Sequence, residues 1–198
     1  MTVAEKQHSV RRQIVEAARP LVAVRGFSAV GISQILEVAG IPKGSFYHYF
    51  ESKEAFGEEL LRCYIENYVH KMDDVFAVPR RTGREQVLAY CTFWRDTHTD
   101  GQVGDKCLIV KLGAEVSDLS ERMRVILKTG TTLAVNRLTQ VVEAGQNDGS
   151  VASSMEPHDL ATAVYQLWLG ATLMAMITHS SRSFDYARVD TVRFLDHT

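Results

Sequence analysis

The chain has 198 residues, 45% hydrophobic and 23% charged, with four prolines, which suffices for a sizeable core in one or two domains. Three cysteines without a CxxC pair argue against a disulfide framework, and seven histidines scattered without ligand spacing point to no metal site. The net charge of −2 does not suggest nucleic acid, but residues 1–50 hold six basic groups against three acidic ones while the remainder holds 16 against 21, so positive potential gathers at one end.

In chain order, residues 1–8 are expected to form a mobile arm. A first helix is expected from Ser9 to Val24, with Ile14, Val15, Ala18, Leu21 and Val22 as its apolar stripe. Pro20 inside it removes a hydrogen bond and should bend the helix near Glu16. Gly26 ends it. The stretch Gly31 to Ala55, GISQILEVAGIPKGSFYHYFESKEA, then organises the chain. Ile32, Ile35, Leu36 and Ala39 share one helical face, and Gly40 can turn left-handed to stop that helix. Ile41 should plug the angle of the turn, and Pro42 restarts the chain for a second short helix over Lys43 to Tyr49. Two short helices joined by a tight glycine-containing turn make a helix-turn-helix.

The second of these helices carries Lys43, Gly44 and Ser45 at its electropositive start. Phe46 and Phe50 can face a core, leaving Tyr47 and His48 outward. Such a helix fits a major groove, with Ser45, Ser33 and Gln34 reading base edges or settling the register and Tyr47, His48 and Lys53 holding phosphates. Ser52 is placed to cap the next helix, where Lys53 is locally unfavourable unless it serves an external phosphate. On residue types alone, a helical hairpin with a solvated polar face fits as well. The run GFSAVGISQILEVAGIPKGSFYHYFESKEAF, however, closely resembles the DNA-binding signature of the TetR family of bacterial transcriptional regulators. It departs at Gly31, where that family usually has a capping threonine. The resemblance implies a homodimer on a palindromic operator of double-stranded DNA.

Beyond the motif the expected helices lengthen, giving an all-α chain divided into a head, residues 1–52, and a ligand-binding and dimerisation body, residues 53–198. Lys53 to Phe76 is expected as one long helix and VPRRTG breaks it. Glu85 to Thr97 follows, then a DGQVG loop (Asp100 to Gly104), a short helix from Asp105 to Glu115, and a long one capped by Asp118 or Ser117 and running to Ala144. Pro157 opens the most apolar helix, His158 to Thr178. It approaches the length of a membrane span, but Thr162, Gln166 and Thr172 interrupt it, so burial on two sides is expected and no membrane is. A last helix covers Phe184 to Leu195. Residue types alone favour core packing for the second face of the apolar helix, whereas the resemblance assigns that face to a twin subunit.

If Asp105 caps its helix, Cys107 falls in the first turn beside Lys106, where amide groups, dipole and cation should lower the thiol pKa. A small buried hydrophobe beside Leu108 and Ile109 is the alternative, and residue types favour it; Cys63 and Cys91 should fill core. The runs CLIVKLGAEVSDLSERMR and YQLWLGATLMAMI resemble the ligand-domain signature of an electrophile-sensing TetR branch with acrylate-responsive relatives. That resemblance implies a small electrophilic or unsaturated inducer at Cys107, with Tyr90, Trp94, Trp168 and Met176 as candidate pocket walls. Met176 stands where the electrophile sensor of that branch has a lysine paired with its cysteine. No GxSxG, paired carboxylates or metal spacing supports an enzyme, so no catalytic residue, metal or cofactor is expected. A DNA-binding structural protein without a ligand stays open, and the cytoplasm is the expected compartment, since no apolar segment follows the start.

Overall fold

The computed structural model describes residues 3–99 and 107–196. Their regular structure is helical: α1 (Val3–Arg25), α2 (Ile32–Val38), α3 (Phe46–Tyr49), α4 (Lys53–Phe76), α5 (Gly83–Thr99), α6 (Leu108–Leu119), α7 (Glu121–Asn147), α8 (Pro157–Thr178) and α9 (Arg182–Asp196), with a 3-10 turn at Lys43–Ser45. The expected DGQVG loop, the Asp105 cap and Lys106 lie outside the described residues. The expected arm is corrected by the fold, because α1 is already helical at Val3 and continues past Pro20 to Arg25. One tertiary contact near this start is the Gln7 side-chain amide, which donates to His48 O at 3.0 Å.

By contact the chain forms two compact units, Met1–Asn67 with Gln102–Gly130 and Tyr68–Gly101 with Thr131–Thr198. The first holds α1 to α3, most of α4, all of α6 and the start of α7. Its core joins Ile14, Val15, Ala18 and Val22 of α1 to Ile35 and Leu36 of α2, Phe46 and Phe50, Phe56 and Leu60 of α4, and Leu112 and Val116 of α6, all of them buried. Phe50 lies 5.4 Å from both Phe46 and Phe56 between ring centroids, and burying each ring contributes about 1.5–3 kcal/mol. Gly57 lets the Phe27 ring pack directly on α4, since a Cβ there would stand 2.6 Å from that ring. The chain turns extended at Ser120, whose Oγ accepts the Met123 N–H at 3.2 Å and so caps α7. That corrects the expected cap at Asp118 or Ser117 and lets α6 run on to Leu119.

The second unit packs α5, α8 and α9 with the later parts of α4 and α7. Trp94, Trp168, Tyr90 and Phe184 are fully buried at its centre. The two indoles are polar-satisfied, Trp94 Nε1 donating to Thr172 Oγ1 at 2.8 Å and Trp168 Nε1 to Thr191 Oγ1 at 2.9 Å. The start of α5 meets the end of α7 backbone to backbone, because a Cβ on Gly83 would lie 2.2 Å from Gly145 N. By length and composition α8 could cross a membrane, but Leu160, Val164, Trp168 and Ala171 commit one of its faces to this core. Leu173, Met174 and Ile177 of α8 remain exposed, as do Tyr186 and Val189 of α9.

Candidate nucleic-acid interface and sensing cysteine

Local chemistry builds the helix-turn-helix. Gly31, extended at φ −81° and ψ 156°, stands at the N-cap of α2. With no side chain of its own there, the cap runs in reverse: Gln34 Oε1 accepts the Gly31 N–H at 2.9 Å. Gly40 takes φ +66°, which lets the Ile41 N–H reach Leu36 O at 2.9 Å and closes the helix end. The expected Lys43 to Tyr49 helix is a 3-10 turn followed by a single α turn.

Phe46 (1% exposed) and Phe50 (2%) anchor this short element, while Tyr47 is 71% exposed. His48, Ser33 and Gly44 are exposed, and Ser45 and Gln34 are half-buried. The motif therefore presents a polar tip with an aromatic root. Lys53 is drawn inward: its Nζ donates to Ser28 O at 3.1 Å and sits 4.8 Å over the Phe27 ring. Burial pulls its pKa down, opposed by the Glu115 charge. An ammonium group has three N–H donors, and the Ser28 carbonyl takes one of them.

Glu115 is the residue that sequence reasoning missed. It accepts the Phe27 N–H at 3.1 Å and the Ser28 N–H at 2.6 Å. Burial raises its pKa, but the hydrogen bonds from Ser28 and Phe27 and the Lys53 charge outweigh that and hold the carboxyl below its usual range.

Cys107 stands at the N-cap of α6 rather than in its first turn. It is 3% exposed, and the Tyr64 hydroxyl donates to its sulfur at 3.6 Å. The expected lowering of its pKa is reversed. Burial pushes the thiol up and dominates, although the amides of Val110 and Ile109 and the Tyr64 hydroxyl all pull the other way. The helix-start donors foreseen from sequence do act on the sulfur; desolvation wins. Cys63 and Cys91 are buried, and burial raises their thiols to about 11 and about 12.

Among the expected pocket walls, Trp94 lies 5.7 Å from Tyr90 and 6.5 Å from Trp168 between centroids, deep in the second unit. Met176 is half-buried on α8. Cys107 belongs to the first unit.

Residues 14–60 match the family model described as bacterial regulatory proteins, tetR family, and residues 83–190 match the tetracyclin repressor-like C-terminal domain. The HTH-type transcriptional repressor NemR of Escherichia coli K12 is 37% identical over 179 residues, covering 90% of this chain and 88% of NemR. The transcriptional regulator AcuR of Cereibacter sphaeroides is 29% identical over 170 residues, covering 84% and 76%. The crystal structure of reduced E. coli NemR superposes with a TM-score of 0.86 at 36% identity, covering 93% of this chain and 95% of that one. With its helix-turn-helix geometry and these relatives along nearly its whole length, the chain belongs to the TetR family of bacterial transcriptional regulators.

Proposed function

We propose that the protein is a cytoplasmic, homodimeric repressor, not an enzyme, that leaves a palindromic operator when a small electrophilic or unsaturated compound acts at Cys107. The observation that carries the DNA half is the exposed Tyr47–His48 tip on a helix rooted by buried Phe46 and Phe50. Lys43, Gly44 and Ser45 lead into that helix, with Ser33 and Gln34 beside it as further candidates for contact. Repression is the direction named for NemR.

For sensing, the support is the donor set on the Cys107 sulfur, which stabilises a thiolate once the buried site opens. The thiolate adds to an activated C=C bond: the S–C bond forms, the π bond breaks, and the thiol proton ends on the neighbouring carbon. Adding that bulk to a 3% exposed position cannot leave the α6 start in place. A second reading is favoured by the burial of Cys107 and by methionine at position 176: the sulfur packs, and the inducer binds reversibly against Tyr90, Trp94, Trp168 and Met176.

The DNA half is tested with a duplex enriched from a random-sequence library by the wild-type protein. Fluorescence anisotropy should show binding about 10³-fold tighter than to a scrambled duplex, and falling steeply with salt. Equal affinity for both would leave only a structural DNA-binding role.

A further inference from the structure

Glu115 lies on the helix that begins after Cys107, yet its carboxylate ends on the DNA-binding head. Its two oxygens take the successive N–H groups of Phe27 and Ser28 at 3.1 and 2.6 Å. These amides lie in the link between the end of α1 and the start of α2, outside either helix's own ladder, so they need partners from elsewhere. From the other side, Lys53 Nζ holds Ser28 O at 3.1 Å. Gly26, at φ +89°, leaves the approach open, because a Cβ there would stand 3.1 Å from Glu115 Oε2. The gripped turn leads directly into Gly31 and α2: the Val30 N–H donates back to Phe27 O at 3.3 Å, and Gly31 caps the supporting helix of the motif.

All of these residues belong to one compact unit, in which α6 packs against α1. As a twelve-residue helix, α6 is a stiff rod of about 18 Å. Cys107 caps one end and Glu115 sits toward the other. Hydrogen bonds of this length are directional and do not tolerate a shift of about 1 Å. An open cleft lined by Phe27, Ser28, Lys53, Glu54, Leu119 and Ser120 runs beside the grip, so water can take over the amides once the carboxylate leaves.

We propose that Glu115 is the positioning residue through which α6 sets the orientation of the DNA-binding head, gripping the Phe27–Ser28 turn in the operator-bound state and releasing it when α6 is displaced. The proposal rests on the repressor reading above and gives that reading its route from the α6 cap to the DNA. Coupling of this kind is reciprocal, so operator DNA must in turn steady α6. That consequence needs no inducer to observe.

The test is amide hydrogen exchange, with and without the enriched duplex, on wild type and Glu115→Gln. Glutamine keeps the shape but offers one acceptor oxygen and no charge. In wild type the duplex should slow exchange in residues 108–119 by about fivefold or more, the low end of ordinary site-to-site coupling. In Glu115→Gln the duplex should still protect α2 and α3, while the effect on 108–119 disappears. A merely structural glutamate would alter melting and leave this DNA-dependent effect intact. Equal slowing of α6 in both proteins overturns the proposal, as does an α6 in wild type that ignores DNA. If wild type enriches no duplex, the repressor reading itself fails and the proposal falls with it. Should Glu115→Gln not fold, Glu115→Asp, which keeps the charge but lacks the reach, is expected to lose the α6 effect in the same way.

Discussion

Phe46→Ala is expected to abolish operator binding. The ring is 1% exposed and packs at 5.6 Å on Tyr47, 5.4 Å on Phe50 and 6.3 Å on Phe56 between centroids. Truncating such a ring costs about 3–5 kcal/mol, a large share of the ~5–15 kcal/mol that stabilises an ordinary domain. The loss falls on an element with no reserve, since α3 spans only Phe46–Tyr49 and a single turn does not persist without tertiary packing. Thermal unfolding by circular dichroism and anisotropy on the enriched duplex measure the two effects. Tyr47→Ala is the contrast. At 71% exposure its removal should change stability by only about 0.5 kcal/mol while weakening DNA binding. Full operator affinity in Phe46→Ala would show that α3 is not the DNA-binding element.

Ile177→Glu is expected to separate the dimer. Ile177 is 63% exposed on α8, beside exposed Leu173 and Met174, and α9 contributes Tyr186 and Val189 at 66% and 50% exposure. Exposed apolar side chains gathered on two helices that pack together are what a contact surface needs. In a two-fold dimer the same patch serves both subunits, so one substitution places two buried charges at the contact. Sedimentation velocity should then report monomers. Operator affinity should fall by about 10²–10⁴-fold, because the second head no longer benefits from the effective concentration of a tethered pair. Its recognition helix must reach the next groove about 34–36 Å away. An unchanged dimer would exclude this face as the interface.

What the sequence disclosed follows from how local each determinant is. Gly40 at φ +66° and the buried pair Phe46 and Phe50 are consequences of neighbours within a few residues, so the motif was legible. The long α4 was legible to its ends for the same reason. The early start of α1 was not, and a contact that ties Gln7 into the head is with His48, 41 positions away. The α7 cap fell to Ser120 rather than Asp118 because Ser120 is where the backbone turns extended. Glu115 was illegible in principle: its partners lie 87 and 88 positions away, and a lone glutamate in an amphipathic helix carries no signal of that kind.

Cys107 shows the same division within one residue. The helix-start amides on its sulfur are a local feature and were foreseen. The desolvation that reverses the pKa direction comes from burial in the folded unit, which local sequence does not set, and it outweighs even the donor that Tyr64 brings from 43 positions away. Tyr90, Trp94 and Trp168 were expected as pocket walls through the family resemblance. The fold brings them together in the centre of the second unit with both indole N–H groups already bonded to threonines.

Whether release from DNA passes through Cys107 is decided by one side-by-side measurement. Wild type and Cys107→Ser are each bound to the enriched duplex, titrated with N-ethylmaleimide, and followed by anisotropy with mass spectrometry of the modified sites. Because burial keeps the thiol protonated at neutral pH, modification should be slower than for a free thiol and limited by opening of the site. Cys107 should nonetheless react before Cys63 and Cys91, whose thiols lack the helix-start donors. Cys107→Ser should bind the duplex like wild type but stay bound under maleimide, since a hydroxyl forms no nucleophile at neutral pH. Wild type leaving the DNA while Cys107→Ser remains is the predicted result; equal release of both proteins would contradict it.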